Sequence, residues 1–388
     1  MDKMRILILT TQDKFFLSHV KERALYFKRR GCIVAVAAQK TSDQSVGVIK
    51  SLGFDFYDTK IERKSLNPIF EIIALVRLRE IFVNFKPDVS YQLGSKAIFY
   101  GTFIFKSINS EAKILNAPIG LGFVYASPTL KARLLKPLVS LFYRLFLNPK
   151  NSRVIVENLD DINFFIQDNC LNPKDAYCIM GAGVDTNQYF PLPFYQRNPV
   201  CTVVMASRLI REKGVLDFIK AAERLYKKGV PVKMQLVGKP DFGNPSTITQ
   251  YELEKISQNK AIEYLGFQED MVTILQNAHI CCLPSYYREG LPRILLEGAS
   301  SGLAIITTDT IGCKEAVRDQ NGFLFKPHDV DQLCDLIEYM VTNPKELEQM
   351  AKNSRRVAVT YFDSKLISER TFDVLTSFGR SDSNGEKN

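Results

Sequence analysis

The chain has 388 residues, 46% of them hydrophobic and 24% charged, a composition that excludes a disordered chain and makes two domains the expected organisation. Its net charge of +9 lies wholly in residues 1–190, which contain 26 Lys and Arg against 17 Asp and Glu. No apolar run reaches the roughly 18–20 residues that span a bilayer, and the first apolar stretch is too short for the core of a signal peptide.

The first half of the chain alternates short apolar strands with amphipathic helices. Strands are predicted at 5–11, 32–39, 87–94, 113–119 and 152–158, and helices at 15–30, 68–85, 95–107 and 130–147. This alternation is typical of a parallel sheet that helices cover on both faces.

The segment 188–200 contains three prolines and fits neither a helix nor a strand, so it is predicted to be a linker. Beyond it the alternation resumes, with strands predicted at 201–207, 232–238, 261–266, 279–285, 303–309 and 322–327, and helices at 214–229, 292–301, 329–341 and 344–360. The sequence therefore predicts two doubly wound, Rossmann-like α/β domains that face each other across a cleft. In such sheets, ligands bind at the carboxyl ends of the strands.

The domain boundaries follow from this alternation. The first domain is predicted to span 1–187 and the second 201–360, with 188–200 as the linker. A final helix over 361–378 is expected to pack back on the first domain, and 379–388 are expected to form a disordered tail.

The cysteines indicate a reducing compartment. Most of the eight lie in or beside apolar segments, no two form a C-x-x-C pair, and the three histidines show no ligand spacing relative to them. We therefore expect free thiols in a cytosolic protein and no structural zinc, with a disulfide set as the less favoured alternative.

The most informative stretch is "SYYREGLPRILLEGASSGLAIITTD", at 285–309. It places Glu289 before a predicted helix and Glu297 inside it, with Gly290 and Pro292 at the helix start. Glycine lets a ligand approach the main chain closely, and a first helical turn presents N–H groups at the positive end of the helix dipole. Because ionised carboxylates accept hydrogen bonds from vicinal hydroxyls, the two glutamates are suited to holding the two ends of a nucleotide-sugar.

The stretch "MASRLIREKGVLDF" supplies cations at the end of the second domain's first strand. Arg208 and Lys213 flank a turn, and Gly214 opens a helix. Arginine offers a bidentate fork to phosphate and lysine a point charge, so these residues predict a diphosphate site. The other charged residues of the loop, Arg211 and Glu212, are expected to face solvent or to pair with each other.

A basic segment lies between Glu111 and Glu157, where the chain has no acidic residue. Its predicted helix carries four basic residues among Leu, Val and Phe at helical spacing: Lys131, Arg133, Lys136 and Arg144. Two interpretations stand equal, a basic amphipathic helix on an anionic membrane surface and an ordinary domain helix with a solvated basic face. Nucleic acid is not an expected partner, because no recognition motif accompanies the charge.

Segments in both halves resemble the retaining nucleotide-sugar glycosyltransferases of family 4, which have the two-domain GT-B fold. In the second domain the matching segments are "SRLIREKG", "LVGKP", "YLGF", "SYYREGLPRILLEGASSGLAIITTD" and "NGFLF". The first domain resembles the branch that builds capsule and O-antigen polysaccharides and related lipid-linked glycans, through "FFLSHVKERALYFKRRG", "IGLGFVYAS", "RLFLNPKNSRVIVENLDDINFF" and "GAGVDTNQYFP". The resemblance covers nearly the whole chain.

The resemblance implies a role for each residue of the donor site. The implied catalytic residues are Arg208 and Lys213, which would bind the diphosphate, and Glu289, which would contact the transferred sugar. Glu297 would hold the ribose hydroxyls. The remaining donor-binding residues are Gly290, Leu291 and Pro292, whose main-chain N–H groups would assist Glu289, and Gly266 and Phe267, which would lie against the base.

In the first domain, the resemblance implies that His19 and the loop of Gly120 and Gly122 face the cleft near the sugar and the acceptor. His19 could equally be a helix residue with a structural hydrogen bond. The chain departs from many relatives in having Thr10-Thr11-Gln12-Asp13 where they have a Gly-rich loop. The "DVD" at 329–331 imitates a metal-binding D-x-D but begins a predicted helix, so Asp329 is expected to be an N-cap.

The implied activity is transfer of a hexose or N-acetylhexosamine from a UDP-sugar, with retention, to a glycan on a polyprenyl diphosphate in surface-polysaccharide synthesis. No metal or other cofactor is expected, because Arg and Lys cations would stabilise the departing diphosphate. The expected location is the cytoplasm, peripherally at the inner face of the plasma membrane.

Three other functions compete with sugar transfer. A glycosidase would flank the scissile bond with an acid and a base or nucleophile, whereas both glutamates here belong to one loop and helix. A nucleotide-sugar 2-epimerase of the same architecture is the alternative; it would need acid/base groups around the sugar's second carbon, and the chain has only three histidines. A catalytically idle binding protein is disfavoured, because every donor-binding position holds a chemically competent residue.

Overall fold

The computed structural model describes residues 3–62, 67–119 and 130–378, which form two compact units. The first unit comprises Met1–Ile179 with Lys365–Asn388, and the second comprises Met180–Ser364. Each unit has its own parallel sheet and its own hydrophobic core. The predicted fold class, two doubly wound α/β domains, is confirmed.

Seven parallel strands form the sheet of the first unit. They are β1 Arg5–Gln12, β2 Ile33–Gln39, β3 Asp55–Asp58, β4 Val89–Leu93, β5 Lys113–Ala117, β6 Ser152–Val156 and β7 Ala176–Cys178. Their order across the sheet is β3-β2-β1-β4-β5-β6-β7, so the chain changes winding direction between β1 and β4. In doubly wound sheets, this switch point is where a crevice opens at the carboxyl ends of the strands.

Helices connect these strands and cover both faces of the sheet. They are α1 Asp13–Phe15, α2 Lys21–Arg29, α3 Asp43–Ser51, α4 Pro68–Phe85, α5 Ser95–Ile108, α6 Leu130–Phe146 and α7 Leu159–Gln167. Because both faces are covered, the central strands are apolar throughout: Ile6 and Ile8 pack with α2, while Leu7 and Leu9 pack with α4 and α5.

The second unit has a six-stranded parallel sheet. Its strands are β8 Cys201–Ala206, β9 Val232–Val237, β10 Glu263–Gly266, β11 Ile280–Leu283, β12 Ala304–Thr308 and β13 Gly322–Phe325, in the order β10-β9-β8-β11-β12-β13. Its helices are α8 Val215–Lys228, α9 Gln250–Ser257, α10 Met271–Asn277, α11 Arg293–Ser300, α12 Val330–Thr342 and α13 Pro344–Val357. The switch point of this sheet lies between β8 and β11, which pair directly through Val203 and Ile280.

The predicted domain boundaries need correction. The N-terminal part of the first unit ends at Ile179, so the predicted boundary at 187 is too late. Residues 188–200 are part of the second unit and not a separate linker: Tyr189 is buried in its core, and Arg197 donates hydrogen bonds to the carbonyls of Ala278 (3.1 Å) and Gly302 (2.9 Å). The predicted tail at 379–388 lies outside the described residues.

The last helix, α14 Ser364–Thr376, belongs to the first unit. Its side chains Ile367, Val374 and Leu375 are buried in the same core cluster as Phe27 of α2. The ring of Phe372 lies 5.8 Å from that of Phe27, which adds an aromatic contact between the two helices. The C-terminal segment therefore completes the core of the first unit.

We expect the substitution Ile367→Ala to lower the free energy of unfolding by about 2–5 kcal/mol, because it leaves a cavity in that core. Urea denaturation followed by circular dichroism measures the change, with Glu369→Ala, at an exposed position of the same helix, as the matched control. Equal unfolding midpoints for Ile367→Ala and Glu369→Ala would contradict this description of the core.

Candidate functional site

The candidate site of the second unit lies at the switch point of its sheet. The loop after β8 carries Lys213, and the loop after the neighbouring strand β11 carries Glu289. The ammonium of Lys213 and the carboxylate of Glu289 form a direct ion pair in which both side chains are mostly buried. Ser285 donates a second hydrogen bond to this carboxylate, at 3.1 Å. The structure thus brings together two of the three predicted catalytic residues.

Gly214 lets these two loops approach each other. Its φ is +77°, in the left-handed region, and a Cβ atom added there would lie 2.0 Å from the carbonyl oxygen of Pro284. The chain makes a short 3-10 turn over Arg211–Lys213 and then begins α8 at Val215. A glycine is therefore needed at the position that delivers Lys213 to the end of β11.

The backbone of Glu212 joins the same two loops. Its carbonyl accepts hydrogen bonds from the N–H groups of Tyr286 (2.9 Å) and Tyr287 (3.1 Å). The expectation that Arg211 and Glu212 pair with each other was wrong, whereas the Arg211 side chain does face solvent, with 41% of it exposed. Arg211 pairs with Glu252 at 2.8 Å, and the Glu212 carboxylate accepts a hydrogen bond from Ser246.

The loop that follows β12 packs against the main chain of Glu289 and Gly290. Gly312 follows β12 and has a φ of +85°, and a Cβ atom there would lie 2.2 Å from the carbonyl oxygen of Gly290 and 2.5 Å from that of Glu289. Since main chain packs directly on main chain, the loop that carries Glu289 has little freedom to move toward Gly312. The main chain of Glu289 and Gly290 is therefore packed against the loop that follows β12.

Arg208 is not in contact with the pair of Lys213 and Glu289. Its guanidinium forms an ion pair with Asp241 at 2.7 Å, and its side chain is about half exposed. Asp241 belongs to the loop after β9, which also binds the backbone of the Arg208 loop: the N–H of Leu209 donates to the carbonyl of Lys239 at 3.0 Å. An exposed guanidinium can exchange a carboxylate partner for a phosphate without a large desolvation cost.

Glu297 is buried in α11, with 7% of its surface exposed. Its carboxylate accepts a hydrogen bond from Arg293 at 2.6 Å, one turn earlier in the helix, and another from the hydroxyl of Tyr189. Burial raises the pKa of this carboxyl despite both partners. Glu297 is therefore not an ordinary surface residue of the helix.

The start of α11 differs from the prediction. The helix begins at Arg293, and Pro292 is its N-cap. Because proline has no N–H group, Pro292 cannot donate a hydrogen bond to a sugar, and its predicted role as a donor was wrong. Of the predicted loop donors, Gly290 and Leu291 carry N–H groups, and the side chain of Leu291 is buried.

Gly266 ends the edge strand β10, and Phe267 follows it. The carbonyl of Gly266 accepts a hydrogen bond from the N–H of Gly238 at 2.8 Å. The Phe267 ring is mostly exposed, and the ammonium of Lys239 lies 4.6 Å from its centroid. An exposed aromatic ring of this kind offers a face to a planar ligand.

In the first unit, His19 lies after β1, next to the switch point of that sheet. It is part of a π-helix, Phe16–Val20, which replaces one turn of the single helix predicted over 15–30. Its Nδ1 atom is 2.6 Å from the Ser18 hydroxyl, and its ring stacks on Phe15 at 4.4 Å. Such π-helical turns are frequent at functional sites. Gly120 and Gly122 lie outside the described residues.

Asp13 occupies the place where relatives were expected to have a Gly-rich loop. It is fully buried, and its carboxylate accepts hydrogen bonds from the backbone N–H groups of Lys14 (2.7 Å), Thr41 (2.8 Å) and Ser42 (3.3 Å). The carboxylate therefore ties the turn after β1 to the loop after β2. In this chain, Asp13 organises the backbone at that turn.

Several contacts of the site were missed from the sequence. Tyr189 and Ser285 lie in segments that carry the family resemblance, but neither they nor Asp241 were predicted to be partners of the site residues, and Tyr189 and Asp241 are far along the chain from the residues they bind. The contact between Arg293 and Glu297 could have been found, because residues four apart on a helix are neighbours.

The expected N-cap role of Asp329 is confirmed: it accepts a hydrogen bond from the N–H of Gln332 at 2.9 Å. Among the described residues, no group of three or more His, Cys, Asp or Glu is arranged to hold a metal ion.

Comparison with known proteins places both halves of the chain among glycosyltransferases. The family model "Glycosyl transferases group 1" matches residues 196–357, and "Glycosyl transferase 4-like" matches residues 5–158. Over 376 residues the chain is 27% identical to N,N'-diacetylbacillosaminyl-diphospho-undecaprenol alpha-1,3-N-acetylgalactosaminyltransferase of Campylobacter jejuni. The aligned region covers 92% of this chain and 96% of that protein. The chain is 24% identical over 317 residues to UDP-Gal:alpha-D-GlcNAc-diphosphoundecaprenol alpha-1,3-galactosyltransferase of Escherichia coli, covering 77% and 78% of the two chains.

Solved structures share the fold. The Anabaena protein HepE in complex with UDP and glucose aligns with a TM-score of 0.76 at 18% identity, covering 96% of this chain and all of that one. WaaG, a glycosyltransferase involved in lipopolysaccharide biosynthesis, aligns with a TM-score of 0.70 at 15% identity, covering 96% and 99% of the two chains. At these identities the likeness concerns the fold alone.

The raised pKa of Glu297 predicts how stability depends on pH. Ionising this carboxyl costs more in the folded chain than in the unfolded one, so stability falls as pH rises from the ordinary pKa of a glutamate through the raised folded pKa. The side chain of Glu297→Gln stays neutral, so we expect the stability of this variant not to decrease with pH in this way. At neutral pH the variant should unfold at a higher temperature than the wild type. Arg293, with about a third of its side chain exposed, stays hydrated in the variant.

Thermal unfolding of both proteins across the acidic and neutral range measures the difference. The exposed Glu369→Gln substitution serves as the control and should leave the pH profile of the wild type unchanged. A profile for Glu297→Gln that runs parallel to the wild type would contradict the buried, costly carboxylate.

Proposed function

Since the chain belongs to the glycosyltransferases of the GT-B fold, in the branch that builds capsule and O-antigen polysaccharides, we propose its reaction and substrates. The proposed reaction moves a hexose or N-acetylhexosamine from a UDP-sugar to a glycan on a polyprenyl diphosphate, with retention of configuration and without a metal ion. The observation that carries the proposal is the mostly buried Lys213, held by Glu289 at the switch point of the second sheet.

The diphosphate of the donor would bind to Lys213 and Arg208. Both cations have carboxylate partners, Glu289 and Asp241, and the phosphate oxygens would take the place of these carboxylates. As the anomeric C–O bond breaks, negative charge develops on the departing diphosphate. Cations that are already positioned stabilise this charge without reorganisation, which lowers the barrier.

Glu289, once released by Lys213, would accept hydrogen bonds from hydroxyls of the transferred sugar. The adjacent N–H groups of Gly290 and Leu291 would assist it, while Pro292 shapes the entry to α11 without donating. This arrangement gives the sugar a partner on the same loop that gives the diphosphate its cation. The carboxylate thus positions the sugar and is not proposed as a nucleophile.

Glu297 and Phe267 would hold the nucleoside. The carboxylate of Glu297, oriented by Arg293 and Tyr189, would accept hydrogen bonds from the ribose hydroxyls, and the base would lie against Phe267. Fixing the carboxylate beforehand reduces the conformational entropy that binding must remove. These contacts are uniform between ground state and transition state, so they contribute to affinity more than to turnover.

Retention follows if the acceptor hydroxyl enters on the face that the diphosphate leaves. The bond from the sugar's anomeric carbon to the diphosphate oxygen breaks, and a bond to the acceptor oxygen forms. The acceptor's proton passes to an oxygen of the departing diphosphate, so no protein base is needed. The positive charges of Lys213 and Arg208 would stabilise the leaving diphosphate, so no metal ion would be needed for this purpose.

The names of the relatives support the choice of substrates. The Campylobacter and Escherichia enzymes both act on diphospho-undecaprenol-linked sugars, the second uses UDP-Gal, and the Anabaena structure contains UDP. We carry these substrate classes to this chain as part of the proposal. The compared proteins that we name are all transferases or proteins of the same fold, and none points to an epimerase.

His19 is proposed to lie on the acceptor side of the site. The protein is proposed to act in the cytoplasm, at the inner face of the plasma membrane. Of the basic residues predicted to contact anionic lipid, Arg133, Lys136 and Arg144 are exposed, and Arg144 also forms an ion pair with Asp168 at 3.0 Å. The Lys131 side chain lies outside the described ones. None of the helices in the described ranges is long and apolar enough to cross a membrane.

We expect Lys213→Ala to lower kcat by about 10²–10³, the range measured when one donor to a developing oxyanion is removed. Glu297→Ala should instead raise the KM for the donor with a smaller change in kcat, because it removes uniform binding. Steady-state release of UDP in the presence of acceptor measures both. Arg211→Ala, a cation in the same loop that pairs with Glu252, is the matched control and should turn over at nearly the wild-type rate. Near-normal turnover in Lys213→Ala would refute the leaving-group role.

Chelation tests the metal-free mechanism. With Lys213 and Arg208 supplying the positive charge, we expect turnover to persist in EDTA at the rate seen without it. Complete loss in EDTA that Mg²⁺ or Mn²⁺ restores would overturn this part of the proposal. The anomeric configuration of donor and product, compared by proton NMR coupling constants, tests retention in the same samples.

A further inference from the structure

A cavity of about 730 Å³ lies in the second unit, and the proposed reaction makes no use of it. Its walls are formed by residues 191–194, by Arg197, by Gly302 just past the end of α11, and by one side of α13. A volume of this size is in the range that small-molecule sites have in proteins. We call this space the second cavity.

The second cavity lies at the amino ends of the strands, whereas the donor site lies at their carboxyl ends. Gly302 of the cavity wall precedes β12, while Lys213 and Glu289 follow β8 and β11. In a parallel sheet these two sets of strand ends lie on opposite sides. None of the described residues that line the second cavity belongs to the donor site. Its occupant is therefore not the sugar donor.

Arg197 brings a buried charge to the cavity wall, with 7% of its surface exposed. Its Nη1 atom donates to the carbonyls of Ala278 (3.1 Å) and Gly302 (2.9 Å). Its Nη2 atom reaches only the carbonyls of Leu192 and Ser301, both at 3.4 Å, which is long for a hydrogen bond. A Cβ atom added to Gly302 would lie 3.2 Å from this Nη2 atom, so the weakly bonded nitrogen is at the wall.

Arg355 of α13 adds a second guanidinium close to the first. Its Nη1 atom donates every hydrogen bond that this group makes in the described part of the chain, at 2.9 to 3.0 Å, to the carbonyls of Thr186, Tyr189 and Ser300 and the hydroxyl of Ser300. Arg197 and Arg355 together bind the carbonyls of consecutive residues, 300–302, so their charges lie near each other. The Nη2 atom of Arg355 is left for another acceptor.

The second cavity has a net positive charge. Neither Arg197 nor Arg355 forms an ion pair with a carboxylate among the described residues. Burial lowers the pKa of Arg197 to about 10 and also lowers that of Arg355, which the carboxylate of Asp363 partly opposes. The carboxyl ends of α10 and α11 offset part of the charge through their dipoles, and Glu348 of the wall is paired with Lys352 at 2.8 Å. Because a buried cation without a counter-ion is costly, the arrangement indicates an anionic ligand.

The rest of the wall is apolar. Residues 191–194 are Pro, Leu, Pro and Phe, and Ala351 lines the cavity from α13. The guanidinium carbon of Arg197 lies 5.4 Å from the centroid of the Phe194 ring, so the charged and apolar parts of the wall adjoin. A phosphate monoester carries nearly two negative charges at neutral pH, which matches two guanidinium groups and their bidentate geometry. The wall thus fits a phosphate joined to an apolar or ring-shaped body.

We propose that the second cavity is a further ligand site that binds an organic phosphate, with the phosphate held by Arg197 and Arg355 and the organic body against residues 191–194. The phosphate oxygens would accept hydrogen bonds from the two Nη2 atoms, so the bonds from the Nη1 atoms to the carbonyls would stay intact. The inference does not rest on the proposed function, because the site uses neither Lys213 nor Glu289.

Isothermal titration calorimetry of the full chain at neutral pH tests the site with phenyl phosphate as the probe. We expect phenyl phosphate to bind the wild type at least about tenfold more tightly than inorganic phosphate, because its ring buries apolar surface against residues 191–194. Phenol, which has the ring without the charge, should show no measurable binding. This comparison uses the wild type alone and does not depend on how any variant folds.

Arg355→Gln tests the cationic part of the site. Arg355 is partly exposed, and a glutamine amide can still donate to a carbonyl, so the fold should persist, which circular dichroism checks. We expect this variant to bind phenyl phosphate at least about tenfold more weakly, because it loses charge-assisted hydrogen bonds. Arg356→Gln, which removes an exposed cation of the same helix outside the cavity, is the matched control and should bind as the wild type does.

Lys213→Ala separates the second cavity from the donor site, where phosphates are also proposed to bind. This variant should bind phenyl phosphate with the wild-type affinity. The proposal fails if the wild type does not bind phenyl phosphate, if inorganic phosphate binds equally well, if Arg355→Gln binds as the wild type does, or if Lys213→Ala abolishes binding. A chain that transfers no sugar but binds phenyl phosphate in an Arg355-dependent way would refute the proposed function and support the second site.

Discussion

The candidate site depends on one ion pair, between Lys213 and Glu289, because this pair joins the loops that follow two neighbouring strands of the second sheet. A mostly buried ammonium would be costly without a partner, and the carboxylate with its hydrogen bond from Ser285 offsets that cost. The carbonyl of Glu212 holds the backbone of the partner loop in place. A diphosphate arriving at this point would therefore meet a cation whose position is already set.

This preorganisation has a cost in stability that the structure shows at particular positions. Gly214 and Gly238 have φ angles of +77° and +137°, and a Cβ atom at either would lie within about 2 Å of a carbonyl oxygen, so only glycine fits without moving the main chain. Glu297 is kept in an environment that raises its pKa, although a neutral side chain would be easier to bury. Local choices that oppose stability are expected where function requires them, and here they gather around the ends of β8 and β11.

Much of the fold and part of the site could be predicted, because both depend on local patterns. Apolar runs and glycine or proline punctuation located most strands and helices, and the spacing of charged residues located Lys213 and Glu289. The edge strands β3 and β7 were missed, since three or four residues of mixed polarity give no clear period. The partners Tyr189 and Asp241 could not be predicted, because only the tertiary fold brings them to Glu297 and Arg208. The helical spacing over α6 likewise could not show that Leu134, Leu138, Leu141 and Leu145 are exposed.

The most direct test of the central claim is a crystal structure of the chain with bound UDP. The account predicts that a diphosphate oxygen lies within about 3 Å of the Lys213 ammonium and that Glu289 no longer contacts this ammonium. A structure in which the diphosphate binds away from Lys213, while the ion pair with Glu289 stays intact, would contradict it.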